Sequence, residues 1–149
     1  MNLRLDTARD ADLPQLIELL GFLFAQEVEF TPNQAKQERA LRMILADPEV
    51  GRIYVARDEG RVLGMVSVLE SISTAEGGRA GLLEDMVVRP EARGQGVGTA
   101  LLEHAIDESR AAGLLRLTLL TDSDNERARG LYAEAGFQFS PMRPMRIKL

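Results

Sequence analysis

The order of apolar patterns predicts an α/β protein: a mixed sheet with helices on both faces. Three observations carry this prediction. Period-two, β-favouring runs alternate along the chain with runs of helical period. Asp58-Glu59-Gly60 is a hairpin signal between two β-favouring runs, which makes the first part of the sheet antiparallel. Between Val87 and Leu120 a strand, a helix and a strand follow one another, and such a crossover returns the chain parallel.

The elements are read in chain order. Residues 3–7 alternate as a strand does. Leu13, Leu16, Ile17, Leu20, Leu23 and Phe24 recur at helical spacing, with Asp10 as the expected cap and Pro14 in the first turn. Thr31-Pro32-Asn33-Gln34 reads as a second helix start, with Thr31 as cap, proline at the first helical position and Gln34 completing a capping box. Leu41, Ile44 and Leu45 give that helix its apolar face, and Asp47-Pro48 stops it. Residues 52–57 and 61–69 form the hairpin, 74–79 a Gly-Gly turn, and 82–88 a third central strand. A helix carrying Val97, Leu101, Leu102, Ala105 and Ile106 on one side follows and ends at Gly113. A strand at 115–120, a helix at 125–135 and a strand at 137–139 come next. Residues 146–149 make a short closing strand, limited by Pro141 and Pro144. The predicted order is β-α-α-β-β-β-α-β-α-β-β.

Composition narrows the function. A chain of 149 residues fits one domain over residues 1–149, large enough for a proper core. No apolar run approaches the roughly 20 residues that span a bilayer, and the first residues do not read as a signal peptide, so the expected setting is cytoplasmic and no membrane partner is expected. The chain has no cysteine, which excludes disulfides, a cysteine nucleophile and cysteine metal sites. His104 is the single histidine, and it sits among Glu103, Asp107 and Glu108 on a helix, where it reads as a surface residue; no metal is expected. A net charge of −5 argues against a nucleic-acid partner. The six methionines are expected to fill core or interface gaps.

The most informative stretch is Arg93-Gly94-Gln95-Gly96-Val97-Gly98-Thr99, between an apolar strand and an amphipathic helix. A helix start leaves N–H groups without intrahelical partners and carries the positive end of the helix dipole; glycine lets a ligand come close. Together they cradle a phosphate. No lysine follows these glycines, so the P-loop does not fit, and Gly-x-Gly-x-Gly is not the dinucleotide fingerprint. The spacing Arg/Gln-x-x-Gly-x-Gly/Ala resembles the acetyl-CoA pyrophosphate loop of the GNAT superfamily of N-acetyltransferases. A second motif, Asn125-Glu126-Arg127-Ala128-Arg129-Gly130-Leu131-Tyr132-Ala133-Glu134-Ala135-Gly136-Phe137, resembles that family's Asn-x-x-Ala-x-x-x-Tyr-x-x-x-Gly-Phe, in the required order.

The resemblance implies a sheet whose two central parallel strands splay apart, with acetyl-CoA wedged between them. It implies acetyl transfer to a primary amine by direct attack in a ternary complex, without a metal. The backbone N–H groups of Gly94, Gln95, Gly96, Val97, Gly98 and Thr99 would hold the pyrophosphate. Arg93 would add charge there, or be a solvated surface arginine. The extended backbone at Met86, Val87 and Val88 would pair with the pantetheine arm like an added strand, and the Val88 N–H would polarise the thioester carbonyl. Asn125 would contact the cofactor or simply cap its helix. Tyr132 takes the tyrosine position and is the candidate general acid for the departing thiolate, against packing beside Leu131 and Ala128.

For the base, Glu84 and Asp85 interrupt an apolar strand, where a carboxylate is costly unless paired or functional. Alternation sends Glu84 to the face of Met86 and Val88, and Asp85 to that of Leu83 and Val87. Glu84 is the first choice, either as base or in a structural ion pair; Asp85 is second, and an amine that arrives neutral needs neither. Glu27, Glu29 and Phe30 lie where the family shapes its acceptor site. The acceptor is expected to be a small-molecule amine, and homodimerisation, common in the family, is left open. Two other readings remain at this point: a non-catalytic acyl-CoA-binding sensor or partner module, and a doubly wound nucleotide-binding domain, which the motif spacing disfavours.

Overall fold

The computed structural model describes residues 1–26, 33–121 and 125–149. Its centre is a five-stranded sheet: β1 (Leu3–Thr7), β2 (Gly51–Asp58), β3 (Arg61–Ser73), β4 (Gly78–Val88) and β5 (Leu117–Leu119), side by side in chain order. β1 to β4 pair antiparallel, and β4 pairs parallel with β5. Helices α1 (Leu13–Gln26) and α2 (Gln34–Ala46) pack on one face, α3 (Val97–Ala111) and α4 (Glu126–Glu134) on the other. The mixed α/β architecture is therefore the one expected. Among the described residues no helix is long and apolar enough to cross a membrane.

Alternation sorts the core. Ile53, Val55 and Met65 join α1 and α2, while Tyr54, Ala56, Val66 and Val68 join α3 and α4. Because both faces are covered, β2 and β3 read as nearly continuous apolar runs. Their turn places Glu59 at φ 48° and Gly60 at φ 86°, the left-handed pair that a two-residue hairpin needs.

Several local details differ from expectation. Asp10 does not cap α1. A short 3₁₀ turn, Asp10–Asp12, precedes that helix, and the Asp12 carboxylate accepts the Arg9 N–H at 2.7 Å. The reason is Arg57, whose guanidinium donates to both Asp12 oxygens at 2.6 and 2.7 Å and pulls the carboxylate into the interior. The cap of α2 is Asn33, whose side chain accepts the Lys36 N–H at 3.1 Å. Gln34 is thus the first helical residue rather than the partner in a capping box, and Thr31 and Pro32 lie outside the described residues.

The two closing strands at 137–139 and 146–149 do not form. After α4 the Phe137 N–H turns back to the Tyr132 carbonyl at 3.0 Å, so the chain caps the helix instead of joining β5. Pro141 and Pro144 then remove two backbone donors from the segment that follows.

Candidate active site

The parallel pair opens as the resemblance implied. β5 matches β4 only at Gly81, Leu82 and Leu83, while β4 continues to Val88. Beyond Leu83, β4 has no strand neighbour on the β5 side among the described residues. The backbone there is aimed by simple alternation. The Arg89 N–H donates to the Leu63 carbonyl of β3 at 2.7 Å, so the N–H and C=O of Val88 point to the opposite edge, into the opening. The Val88 carbonyl receives Arg93 Nε at 3.0 Å from that side. Val87, one residue back, turns its polar backbone to β3 and its side chain into the α1/α2 core.

A bulge sets the phase of this strand. Met65 opposes Val87 and Ser67 opposes Glu84, so Asp85 and Met86 together face the single residue Val66. Asp85 takes φ 54°, a left-handed conformation seldom adopted outside glycine, asparagine and aspartate. The consequence overturns strict alternation. Leu83 packs in the α3/α4 core and Val87 in the α1/α2 core, so Asp85 shares no common face with both. Glu84 does not share the face of Met86 and Val88 either. Those two pack on the α3/α4 side, whereas Glu84 lies opposite Ser67 on the α1/α2 side, exposed at the opening.

The glycine loop lies beyond the end of β4. Gly94 and Gly96 have φ of 76° and 84°, and Gly96 is the N-cap of α3. The first intrahelical bond is from the Ala100 N–H to the Gly96 carbonyl at 3.0 Å, so Val97, Gly98 and Thr99 present their N–H groups outward from the helix start. A Cβ placed on Gly98 would stand 3.5 Å from Met86, 3.6 Å from Leu131 and 3.8 Å from Val88, so the helix start, the end of β4 and α4 meet here. Gln95 turns away, its side chain donating to the Glu91 carbonyl at 3.1 Å. Arg93 is held by Val88 rather than simply solvated.

Helix α4 closes the other side. Asn125 is its N-cap and accepts the Ala128 N–H at 3.2 Å, so the capping alternative is realised. Tyr132 packs in the cluster that includes Met86 and Val88 of β4 and Leu117 and Leu119 of β5, over the opening, and meets Phe137 edge-on at 5.9 Å between ring centroids. Burial pushes its phenol above the ordinary value, which keeps it protonated at neutral pH. Tyr132 and Glu84 thus approach the opening from opposite faces of the sheet.

Two residues at this site were missed by sequence reasoning. Arg127 brings Nη2 to 3.9 Å from where a Gly94 Cβ would stand, a second cation at the glycine loop; its signal was a base in the first turn of α4. Ser67 buries a hydroxyl that lacks a hydrogen-bond partner, directly across from Glu84; its signal was a serine between two core valines. His104 is half-buried and packs edge-on against Tyr54 at 5.4 Å, so it is a packing residue rather than a surface one. Glu27, Glu29 and Phe30 lie outside the described residues. An open depression of about 760 Å³ between α1 and α2, lined by Asp10, Ile17, Glu18, Glu38 and Arg42 among others, shares no residue with this site.

The unpaired end of β4, the glycine loop at the start of α3 and the half-buried Tyr132 phenol thus lie together, as the family resemblance implied. Comparison with known proteins agrees. Residues 13–137 match the acetyltransferase (GNAT) family. The chain is 30% identical over 154 residues to the glucosamine 6-phosphate N-acetyltransferase of Trypanosoma brucei brucei, spanning 100% of this chain and 97% of that one. It is 32% identical over 152 residues to a mycothiol acetyltransferase of Propionibacterium freudenreichii, covering 97% of this chain but 48%, about half, of that enzyme. An integron cassette protein from the mobile metagenome of Cole Harbour Salt Marsh has the same fold, with a TM-score of 0.85 at 29% identity over 97% of this chain and 90% of that chain. The chain belongs to the acetyltransferase (GNAT) family and is an acyltransferase.

Proposed function

We propose that the protein transfers the acetyl group of acetyl-CoA to the primary amine of a small molecule, by direct attack within a ternary complex. The observation that carries this reading is the open β4 edge, with the Val88 N–H aimed into it between Glu84 on one face and Tyr132 on the other. The pyrophosphate would rest on the N–H groups of Gly94 to Thr99, with Arg93 and Arg127 adding charge. The pantetheine arm would run along Met86 and Val88 as an added strand. Glu84, directly or through water, takes the ammonium proton. The amine nitrogen bonds to the carbonyl carbon, the developing oxyanion is held by the Val88 N–H, the C–S bond breaks as Tyr132 gives its proton to sulfur, and the extra proton on the new amide nitrogen then restores the Tyr132 phenol. The small-molecule acceptor is supported by relatives named for glucosamine 6-phosphate and mycothiol.

The test is a panel of amines with acetyl-CoA, read by release of free thiol, which the cysteine-free chain does not obscure. Amine-dependent release supports the reading; no release and no CoA binding would overturn it.

Two variants probe the parts. Glu84→Gln is expected to slow kcat/KM at neutral pH by about 10²-fold. The deficit should shrink as the pH nears the acceptor amine's own pKa, because a neutral amine needs no base; a constant deficit at all pH values would remove the base role. Gly96→Ala forces a side chain into φ 84°, costing about 1–2 kcal/mol. If the loop relaxes out of shape, KM for acetyl-CoA rises about tenfold with kcat little changed. An unaltered KM would show that this turn does not hold the cofactor.

A further inference from the structure

The carboxyl end of β4 is held by a residue that the proposed chemistry does not use. Arg89 follows Val88 directly, and its side chain is 3% exposed. A guanidinium so deeply placed needs partners for its charge and its N–H groups. Arg89 finds them on two elements. Nε donates to the Val62 carbonyl of β3 at 2.6 Å, and Nη1 donates to the Glu18 carboxylate of α1. Three residues earlier on α1, the Gln15 side chain accepts the Val62 N–H at 2.8 Å. Gln15 and Glu18 thus stand on one face of α1 and fasten that helix to β3 and to the end of β4.

This anchor lies where the strand has little else. Val88 opposes Gly64, but its own N–H and carbonyl point away from β3, so no bond from Val88 to β3 sets their direction. That direction comes from the residues on either side: Val87, opposite Met65, and Arg89, whose N–H donates to the Leu63 carbonyl at 2.7 Å. Pro90, next in the chain, has no N–H to give. Arg89 is therefore the last point at which β4 is tied to β3 before the chain enters the glycine loop, and its side chain triples the tie.

We propose that Arg89, braced by Glu18, is a positioning residue for acetyl transfer, fixing the direction of the Val88 N–H toward the thioester carbonyl. This role rests on the proposed placement of acetyl-CoA along β4. The guanidinium is taken up by Val62 and Glu18, so it acts through Val88 and not on the substrate. A misplacement of about 1 Å at a reacting centre costs on the order of 10²-fold in rate. The glycine loop is shaped separately, by the start of α3, so loosening the strand end falls on kcat and spares affinity.

The test reads the carbonyl itself. Isotope-edited infrared spectroscopy of acetyl-CoA labelled at the acetyl carbonyl, bound to the unaltered protein, should show a stretching frequency below that of free acetyl-CoA, as a hydrogen-bonded carbonyl does. Arg89→Met and Glu18→Ala should each move it back toward the free value, with the calorimetric Kd for acetyl-CoA within about twofold and kcat down by about 10- to 10²-fold. Glu18 is 54% exposed, so its variant breaks the brace from the solvent side and carries the test if Arg89→Met does not fold. Arg79→Met is the control: it breaks another ion pair between β3 and β4, with Glu70, far from Val88, and should leave the frequency unchanged. A lowered frequency that persists in both Arg89→Met and Glu18→Ala overturns the positioning role and leaves the catalytic reading standing. An equal change in Arg79→Met also overturns it, since any loosening of the sheet would then suffice. No lowering in the unaltered protein removes the Val88 N–H as the carbonyl's donor, and the role of Arg89 falls with it.

Discussion

Replacement of Tyr132 by phenylalanine is expected to lower kcat by about 10²- to 10⁴-fold while leaving acetyl-CoA affinity nearly unchanged. The substitution removes one oxygen and keeps the ring, so the edge contact with Phe137 and the packing against Met86 and Leu131 survive. What goes is the proton donor above the opening. Its half-buried phenol has a raised pKa, so the wild-type enzyme should hold its activity to a more basic pH than an exposed tyrosine would allow. The variant should lose that basic limb. Stopped-flow turnover and calorimetric CoA binding measured together separate the two effects, and unchanged turnover would remove the acid role.

The second large effect is on stability. Asp12→Ala is expected to destabilise the fold by about 3–5 kcal/mol, because it leaves the Arg57 guanidinium buried without its carboxylate. The side chains of Arg57 and Asp12 are only 6% and 7% exposed, and the pair is doubly hydrogen-bonded. Asp6, 3.4 Å from Arg57 Nε, offers partial compensation. A chain of this size is stable by about 5–15 kcal/mol, so the loss is a large fraction of the total. Replacing both partners, Asp12→Leu with Arg57→Met, should regain most of it. The pair also sets an acid limit. Arg57 holds the Asp12 carboxyl below its usual value, so the stabilisation is complete above the unfolded pKa and is lost as pH falls through the lower folded one. Urea titrations at neutral pH and near pH 3 check both points; a loss below about 1 kcal/mol at neutral pH would show that the pair is not a structural brace.

Much of this was legible in the residues. The hairpin at Asp58-Glu59-Gly60, the period of α1 and the glycine loop are local signals, and each lies where its chemistry requires. The proposed cofactor side of the site rests on backbone groups at a strand end and a helix start, which sequence order alone can place. What failed was non-local. The bulge at Asp85 depends on β3 offering one residue against two, and no periodicity within β4 announces it. That bulge moved Glu84 away from the face assigned to it. Asp10 lies in a 3₁₀ turn instead of capping α1, and in that turn the Asp12 carboxylate is drawn inward by Arg57, 45 residues further on. The closing strand read at 146–149 does not form, because the turn at Phe137 leads the chain back to α4 rather than along β5.

The parting of β4 and β5 has a consequence for folding as well as for chemistry. The sheet opens between β4 and β5, and in the proposed complex an extended ligand along Met86 and Val88 would supply the pairing missing there. Such a ligand becomes a temporary piece of secondary structure. The hydrogen bonds that fix the ligand are then the same ones that finish the sheet, so occupancy and native-state cohesion rise together. A variant weakened anywhere in this sheet should therefore last longer in a cell rich in that ligand than in one depleted of it.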